Sequence, residues 1–154
     1  MTRVEIVIKA PVHTVWAVLA DAHSYGDWVV GAKDIRSVEG RWPERGSRFH
    51  HTVGMGPLNL KDNTKVLESE PNHRIVLEAR ARPFGRARVE IILSMVGAGT
   101  TVAMEEEIIS PAVVRALNPA LDPLARARNN KALKRLAGLA ETRSAPTPTR
   151  SAAQ

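Results

Sequence analysis

RVEIVIKAPVHTVWAVLADAHSYGDW, residues 3–28, changes its hydrophobic period in the middle. Val4, Ile6 and Ile8 alternate with Arg3 and Glu5, the period of a half-buried strand. From Val12 the apolar residues Val12, Val15, Trp16 and Leu19 recur at helical spacing, and Pro11 suits the first turn, where no amide donor is needed. The helix is expected to end near Asp21, before a turn carrying Tyr25, Gly26 and Trp28.

Beyond Lys33 the period stays at two. DIRSVE (34–39), GSRFHHTVG (46–54), LNLKDNTKVLE (58–68), HRIVLEARA (73–81), RARVEIILSMV (86–96) and TTVAMEEEII (100–109) read as six further strands. The separators are short, including Gly54–Pro57, EPN at 70–72, PFG at 83–85 and GAG at 97–99. Short separators favour antiparallel hairpins, because parallel pairing needs long crossovers. Ser110-Pro111 and Asp122-Pro123 each have the form of an N-cap followed by proline. From Pro123 to about Glu141 a stripe of Leu124, Ala125, Ala132, Leu133, Leu136, Leu139 and Ala140 predicts the longest helix. It would run roughly 28 Å at 1.5 Å per residue, enough to cross a sheet. TRSAPTPTRSAAQ, 142–154, is polar, proline-bearing and aperiodic, and is expected to be a disordered tail.

The chain of 154 residues, 44% hydrophobic, is expected to form one domain over 1–141. Cysteine is absent, which excludes disulfides, thiolate zinc sites and cysteine nucleophiles. No uninterrupted apolar run suggests a signal peptide or membrane span, so a soluble, cytoplasmic protein is expected. A net charge of +6 favours anionic partners, but aromatic residues at 4% supply a base-stacking surface poorly, so nucleic acid is not the expected partner. Neither a nucleophile elbow nor a cofactor fingerprint appears, and no cofactor is expected. Nothing in the residues addresses oligomeric state.

The segments APVHTVWAVLAD, Tyr25 and Trp28 within 10–28, and RNNKALKRLAGLAE at 128–141, resemble the START-related superfamily of lipid-transfer proteins and polyketide cyclase/dehydrases. Pro11, Val15, Trp16, Asp21, Tyr25 and Trp28 fall where that superfamily's first helix and turn have theirs. The resemblance covers residues 1 to about 141. It implies the α+β helix-grip fold, in which a curved, seven-stranded antiparallel sheet wraps a long C-terminal helix, with two short helices after the first strand. It also implies a cavity between sheet and helix for an apolar ligand, with Tyr25 and Trp28 near its mouth.

Strand parity then divides inward from outward residues. His51 shares parity with Phe49, Val53 and Met55, whereas His50 lies with Arg48 and Thr52. The adjacent histidines therefore diverge, and without a His-x-His or helical His-x3-His spacing no metal site is expected. On the next strand Leu58, Leu60 and Val66 select the parity of Asp62 and Thr64, so a hairpin would set His51 opposite or diagonal to Asp62. A carboxylate beside an imidazole could tune a general acid or base, although two satisfied polar groups at a rim would give the same pattern. Glu106 falls on the apolar parity of Val102, Met104 and Ile108, opposite Ile91 if Ala98-Gly99 forms the turn, and needs a partner such as Arg128, Asn129 or Tyr25. Ala79, Ala81 and Ala87 leave room near one hairpin tip, while Ile75, Leu77, Val89, Ile91 and Leu93 fill the deeper part. The outward Arg80, Arg82, Arg86 and Arg88 form either a solvated basic face or a surface for an anionic partner.

The expected ligand-contacting set is Tyr25, Trp28, Phe49, His51, Val53, Leu60, Leu77, Ala79, Ala81, Ala87, Val89, Ile91, Met104, Glu106, Arg128, Asn129, Ala132 and Leu136. Binding or carriage of a hydrophobic small molecule, a lipid or a polyketide-like compound, is the first reading. An aromatase/cyclase in which His51, Asp62 or Glu106 moves protons is the second. A regulatory module acting through its basic surface is the third.

Overall fold

The computed structural model describes residues 1–55, 57–81, 85–116 and 118–145. For Met55, Ala81, Arg115 and Asn118 only the backbone is described. Seven strands form one antiparallel sheet in the order β1-β7-β6-β5-β4-β3-β2. They are β1 (Thr2–Ile8), β2 (Ala32–Glu39), β3 (Arg48–Met55), β4 (Leu58–Glu70), β5 (Arg74–Ala81), β6 (Gly85–Val96) and β7 (Gly99–Ser110). β2 to β7 run as a meander, each strand beside the next. β1 breaks that order by joining β7, with Thr2 opposite Glu106 and Ile8 opposite Thr100. The chain crosses from one sheet edge to the other through α1 (Val12–Leu19), one turn of 3-10 helix (Ala22–Ser24) and α2 (Tyr25–Trp28).

The strand pairings shift register in β2/β3, in β4/β5 between Val66 and Glu68, and in β6/β7 between Arg86 and Ala87. An extra residue on one strand bends it and increases its twist, so these shifts curve the sheet. The concave face carries the alternating apolar set: Phe49, Val66, Ile75, Leu77, Ile91, Leu93, Val102 and Met104 are all buried.

Two helices follow β7: α3 (Ala112–Ala116) and α4 (Asn118–Ser144). α4 starts five residues earlier than the Asp122-Pro123 signal predicts and keeps Pro123 inside it. Asn118-Pro119 supplies the starting proline instead. Asp122 does not act as a cap, because its carboxylate accepts a hydrogen bond from the Thr2 hydroxyl and lies 3.5 Å from the Arg126 guanidinium. Ser110 likewise belongs to β7 rather than capping a helix. At the other end the helix runs through Ser144, past the expected boundary at 141, and residues 146–154 of the expected tail lie outside the described residues. With 27 residues, α4 is about 40 Å long.

Among the described side chains of α4, the buried positions begin at Asn129. Leu133, Leu136 and Ala140 are fully covered and Ala132 nearly so, packed with Val15, Val18 and Leu19 of α1. Leu124, in the expected stripe, is 72% exposed, and Leu121 and Val113 are exposed beside it. No helix among the described residues is long and apolar enough to cross a membrane.

This division predicts unequal costs along one helix. Leu136→Ala should lower the unfolding free energy by about 2–5 kcal/mol, whereas Leu124→Ala should change it by no more than about 0.5 kcal/mol. Urea unfolding of both variants checks this, and equal losses would mean that α4 packs along its whole length.

Candidate functional site

Between the concave sheet, α2 and the middle of α4 lies a pocket of about 200 Å³. Its wall is mostly apolar. β5 and β6 contribute Leu77, Ala79, Ala87, Val89 and Ile91, and β7 contributes Met104. Ala79 and Ala87 face each other across the strand pair, so two methyl groups stand where larger side chains would close the space. The segment from Val29 to Ala32, following α2, completes one side, with Ala132 of α4 opposite the sheet.

One end is aromatic. The Tyr25 ring centroid lies 4.9 Å from that of Trp28, 5.3 Å from Trp42 and 5.0 Å from Phe49, and Trp42 and Phe49 are 4.7 Å apart. These tilted and edge-on contacts fix the α2 turn against β3. Tyr25 and Trp42 settle their polar atoms on one backbone group, the Leu19 carbonyl, to which the Tyr25 hydroxyl donates at 2.9 Å and Trp42 Nε1 at 3.0 Å. Burial drives the Tyr25 hydroxyl pKa far above its ordinary value, with nearby Asp21 adding to the shift. Tyr25 is therefore a packing residue with a neutral hydroxyl and no contact to Glu106, contrary to its expected candidacy as a partner.

Glu106 stands on the apolar wall with both oxygens occupied. Arg128 Nη2 donates to Oε1 at 2.6 Å and to Oε2 at 2.5 Å, and Asn129 Nδ2 donates to Oε2 at 2.7 Å. Arg128 Nε in turn donates to Asn129 Oδ1 at 3.2 Å, closing a triad that ties α4 to β7. Glu106 faces Val89, with Met104 opposite Ile91, so the expected register is two residues off. The turn is Gly97-Ala98 rather than Ala98-Gly99, and Gly97 supplies the positive φ, +54°, that a tight hairpin turn requires.

His51 lies directly opposite Asp62 in the β3/β4 register. Its Nε2, however, is 3.3 Å from Thr64 Oγ1, while Asp62 Oδ1 accepts the backbone N–H of Asn63 at 3.0 Å. Both residues are buried, but only His51 and Thr64 line the pocket. Burial pushes the His51 pKa below its ordinary value, outweighing the Asp62 charge and the nearby Asn63 carbonyl, which raise it; Arg36 and His50 lower it further. Nδ1 meets no partner at hydrogen-bond geometry among the described residues. His50 points to the other face, where its Nε2 is 3.1 Å from Glu39 Oε1. No group of three or more His, Asp and Glu residues is placed to hold a metal ion among the described residues.

Of the remaining expected contacts, Tyr25, Trp28, Phe49, Val53, Arg128 and Asn129 line the pocket. Leu60, Asp62 and Leu136 do not. Leu136 sits in the core beneath the pocket, and Leu60 lies near the β3/β4 tip, where the strands leave the covered region. Ala81 pairs with Gly85, and its side chain and all of Arg82 lie outside the described residues. Thr64 was missed although its parity places it inward. Val29 to Gly31, leading into Ala32 at the start of β2, had no periodic signal, because an irregular segment is positioned by the α2 it follows. Arg80, expected outward, is exposed but reaches the pocket rim. Its neighbours on the basic face are compensated: Arg86 Nη1 lies 3.6 Å from Glu78 Oε1, and Arg88 Nη1 lies 2.8 Å from Glu90 Oε2.

Residues 2–141 match the family model described as "Polyketide cyclase / dehydrase and lipid transport". The chain belongs to that family, in agreement with the helix-grip architecture and the expected resemblance. No curated protein matches it. Among solved structures it is similar to the di-domain ARO/CYC StfQ from the steffimycin biosynthetic pathway, with a TM-score of 0.73 at 13% identity, covering 92% of this chain and 50% of that one. It is also similar to protein NE0264 from Nitrosomonas europaea, with a TM-score of 0.67 at 15% identity over 92% of this chain and 96% of that one. TTHA0849 from Thermus thermophilus gives 0.67 at 17% identity over 94% and 99% of the two chains. At these identities the likeness is one of fold.

Two outcomes test the electrostatics. A double-mutant cycle of Glu106→Gln and Arg128→Met should give a coupling of about 0.5–1 kcal/mol in urea unfolding, since the Arg128 side chain is 43% exposed and solvent screens the pair, while that of Glu106 is 13% exposed; zero coupling would dissolve the triad. Below the ordinary histidine pKa of about 6.5 the unfolded chain binds a proton that folded His51 resists, so this group's contribution to stability falls as pH drops from 7 to 5. His51→Gln should flatten that part of the pH profile, and an unchanged slope would contradict the assignment.

Proposed function

We propose that the protein binds a hydrophobic small molecule, lipid or polyketide-like, in the pocket between the sheet and α4. The observation that carries this reading is the composition of the wall: aliphatic and aromatic side chains with a few fixed polar groups, the arrangement by which apolar burial gives affinity and polar contacts give orientation. Family membership supports the same class of ligand. The facing alanines 79 and 87 keep the space open.

A second reading, proton transfer in ring closure of a polyketone, is favoured by His51, a largely neutral imidazole on the pocket wall held through Thr64. In that reaction Nδ1 or Nε2 would take a proton from a methylene between two carbonyls. The enolate carbon would then attack a ketone of the same chain, and the resulting alkoxide would recover the proton before water is lost. Glu106, with both oxygens engaged by Arg128 and Asn129, serves better as an anchor than as a proton carrier. The basic face supports an anionic partner less well, because Glu78 and Glu90 balance Arg86 and Arg88.

The neutral fluorophore N-phenyl-1-naphthylamine tests the pocket directly. Wild-type protein should enhance and blue-shift its emission, and the folded double variant Ala79→Leu/Ala87→Leu should bind it at least about tenfold more weakly by loss of volume. Equal affinity in both proteins would place the fluorophore elsewhere and contradict the proposal. His51→Gln should leave fluorophore binding intact, and its effect on polyketone turnover separates carriage from catalysis.

A further inference from the structure

The meander gathers the β3/β4 tip, the β5/β6 tip, the start of β1, α3 and the first turns of α4 at one end of the sheet. The pocket opens toward the same end. Its wall residues Gly31, Ala32, Val53 and Arg80 are part-exposed or exposed, whereas Phe49, Leu77 and Ile91 are buried. Eight large hydrophobic side chains stand exposed among the described residues, and five of them, Met1, Leu58, Val113, Leu121 and Leu124, belong to this end. At helical spacing Leu121 and Leu124 fall on the face of α4 that carries Arg128 and Ala132 along the pocket. Ahead of Arg128 that face is left uncovered, with Leu121 39% and Leu124 72% exposed. A cluster of exposed apolar side chains around a pocket mouth marks an interaction surface.

The charge at this end is positive. Lys33, Lys61 and Arg80 are exposed and form no ion pair among the described residues, while Arg126 and Arg128 are paired with Asp122 and Glu106. The exposed carboxylates here are Asp27, Asp34 and Glu107, and the sequence adds Arg82 and Arg115 to the same stretches of chain. This set is separate from Arg86 and Arg88, which Glu78 and Glu90 balance.

Together the two features choose among partners. A second copy would set the cations of one protomer against those of the other, and like charges repel. The apolar residues stand on helices and a hairpin tip rather than in a groove, so they suit insertion into a surface better than capture of a peptide. A bilayer with anionic headgroups answers both features, its acyl boundary taking leucine and valine and its phosphates taking lysine and arginine. We propose that this end of the protein docks on an anionic lipid bilayer, with Val113, Leu121 and Leu124 set into the headgroup boundary, Lys33, Lys61 and Arg80 against the phosphates, and the pocket mouth facing the membrane. Docking depends on the surface alone and stands whatever the pocket holds.

Co-sedimentation with vesicles of phosphatidylcholine alone, and of phosphatidylcholine and phosphatidylglycerol in equal parts, tests this. The wild-type protein should bind the mixed vesicles roughly tenfold or more tightly than the neutral ones, and added salt should weaken that binding. Leu121→Gln/Leu124→Gln should lose about tenfold or more of the affinity for mixed vesicles, and Leu124→Gln alone part of it. Lys61→Glu/Arg80→Glu should lose the preference for the anionic lipid. All four side chains are exposed, so circular dichroism should show an unchanged fold. Met95→Gln, at a position 80% exposed on the opposite end, should bind as the wild type does. Absence of binding to mixed vesicles, or an equal loss in Met95→Gln, would overturn the proposal. So would a lipid-free dimer in analytical ultracentrifugation that Leu121→Gln/Leu124→Gln dissolves, since that result assigns the face to a second copy.

Discussion

A sheet whose concave face is apolar along its length must be covered, and α4 covers only part of it. Leu133, Leu136 and Ala140 seal one end against α1 and the sheet, while Ala132 and Asn129 line the edge of the pocket. The uncovered part is bounded by the aromatic turn of α2 and by Ala79 and Ala87, which lack the bulk to fill it. The pocket is therefore a consequence of where large residues stop. The burial that stabilises the domain and the pocket lie on the same surface.

Polar contacts hold α4 to β7 beside the pocket. The Glu106–Arg128–Asn129 triad provides them, since a carboxylate on an apolar wall is tolerated only with its oxygens engaged. At the opposite side His51 is oriented by Thr64, and the aromatic cluster fixes Trp28. The polar groups of the pocket thus fall into two kinds. Those of the triad are satisfied by one another and act structurally, whereas Trp28 Nε1 and His51 Nδ1 have no hydrogen-bond partner among the described residues.

Much of this was legible from period alone. Alternation located all seven strands, and parity placed His51 inward, His50 outward and Glu106 on the apolar face, because side-chain direction in a strand is fixed by counting. Counting could not decide the register of β6 and β7, where a one-residue choice of turn moved the partner of Glu106 by two. It also misjudged the start of α4, because Asn118-Pro119 and Asp122-Pro123 give the same local signal and only the contact between Asp122 and Thr2 distinguishes them. The wall from Val29 to Gly31 was invisible because irregular backbone has no period. The orphaned indole could not be anticipated, since it depends on which carbonyls the fold brings within reach.

The most direct test is a crystal structure of the protein grown with 6-bromo-1-tetralone, the ligand being located by the anomalous signal of its bromine. The account predicts one strong bromine peak between Trp28, Phe49, Ala87 and Ala132. A bromine peak confined to the groove beside Pro11, His73 and Met95 at the β6–β7 tip, with the pocket bare, would contradict it.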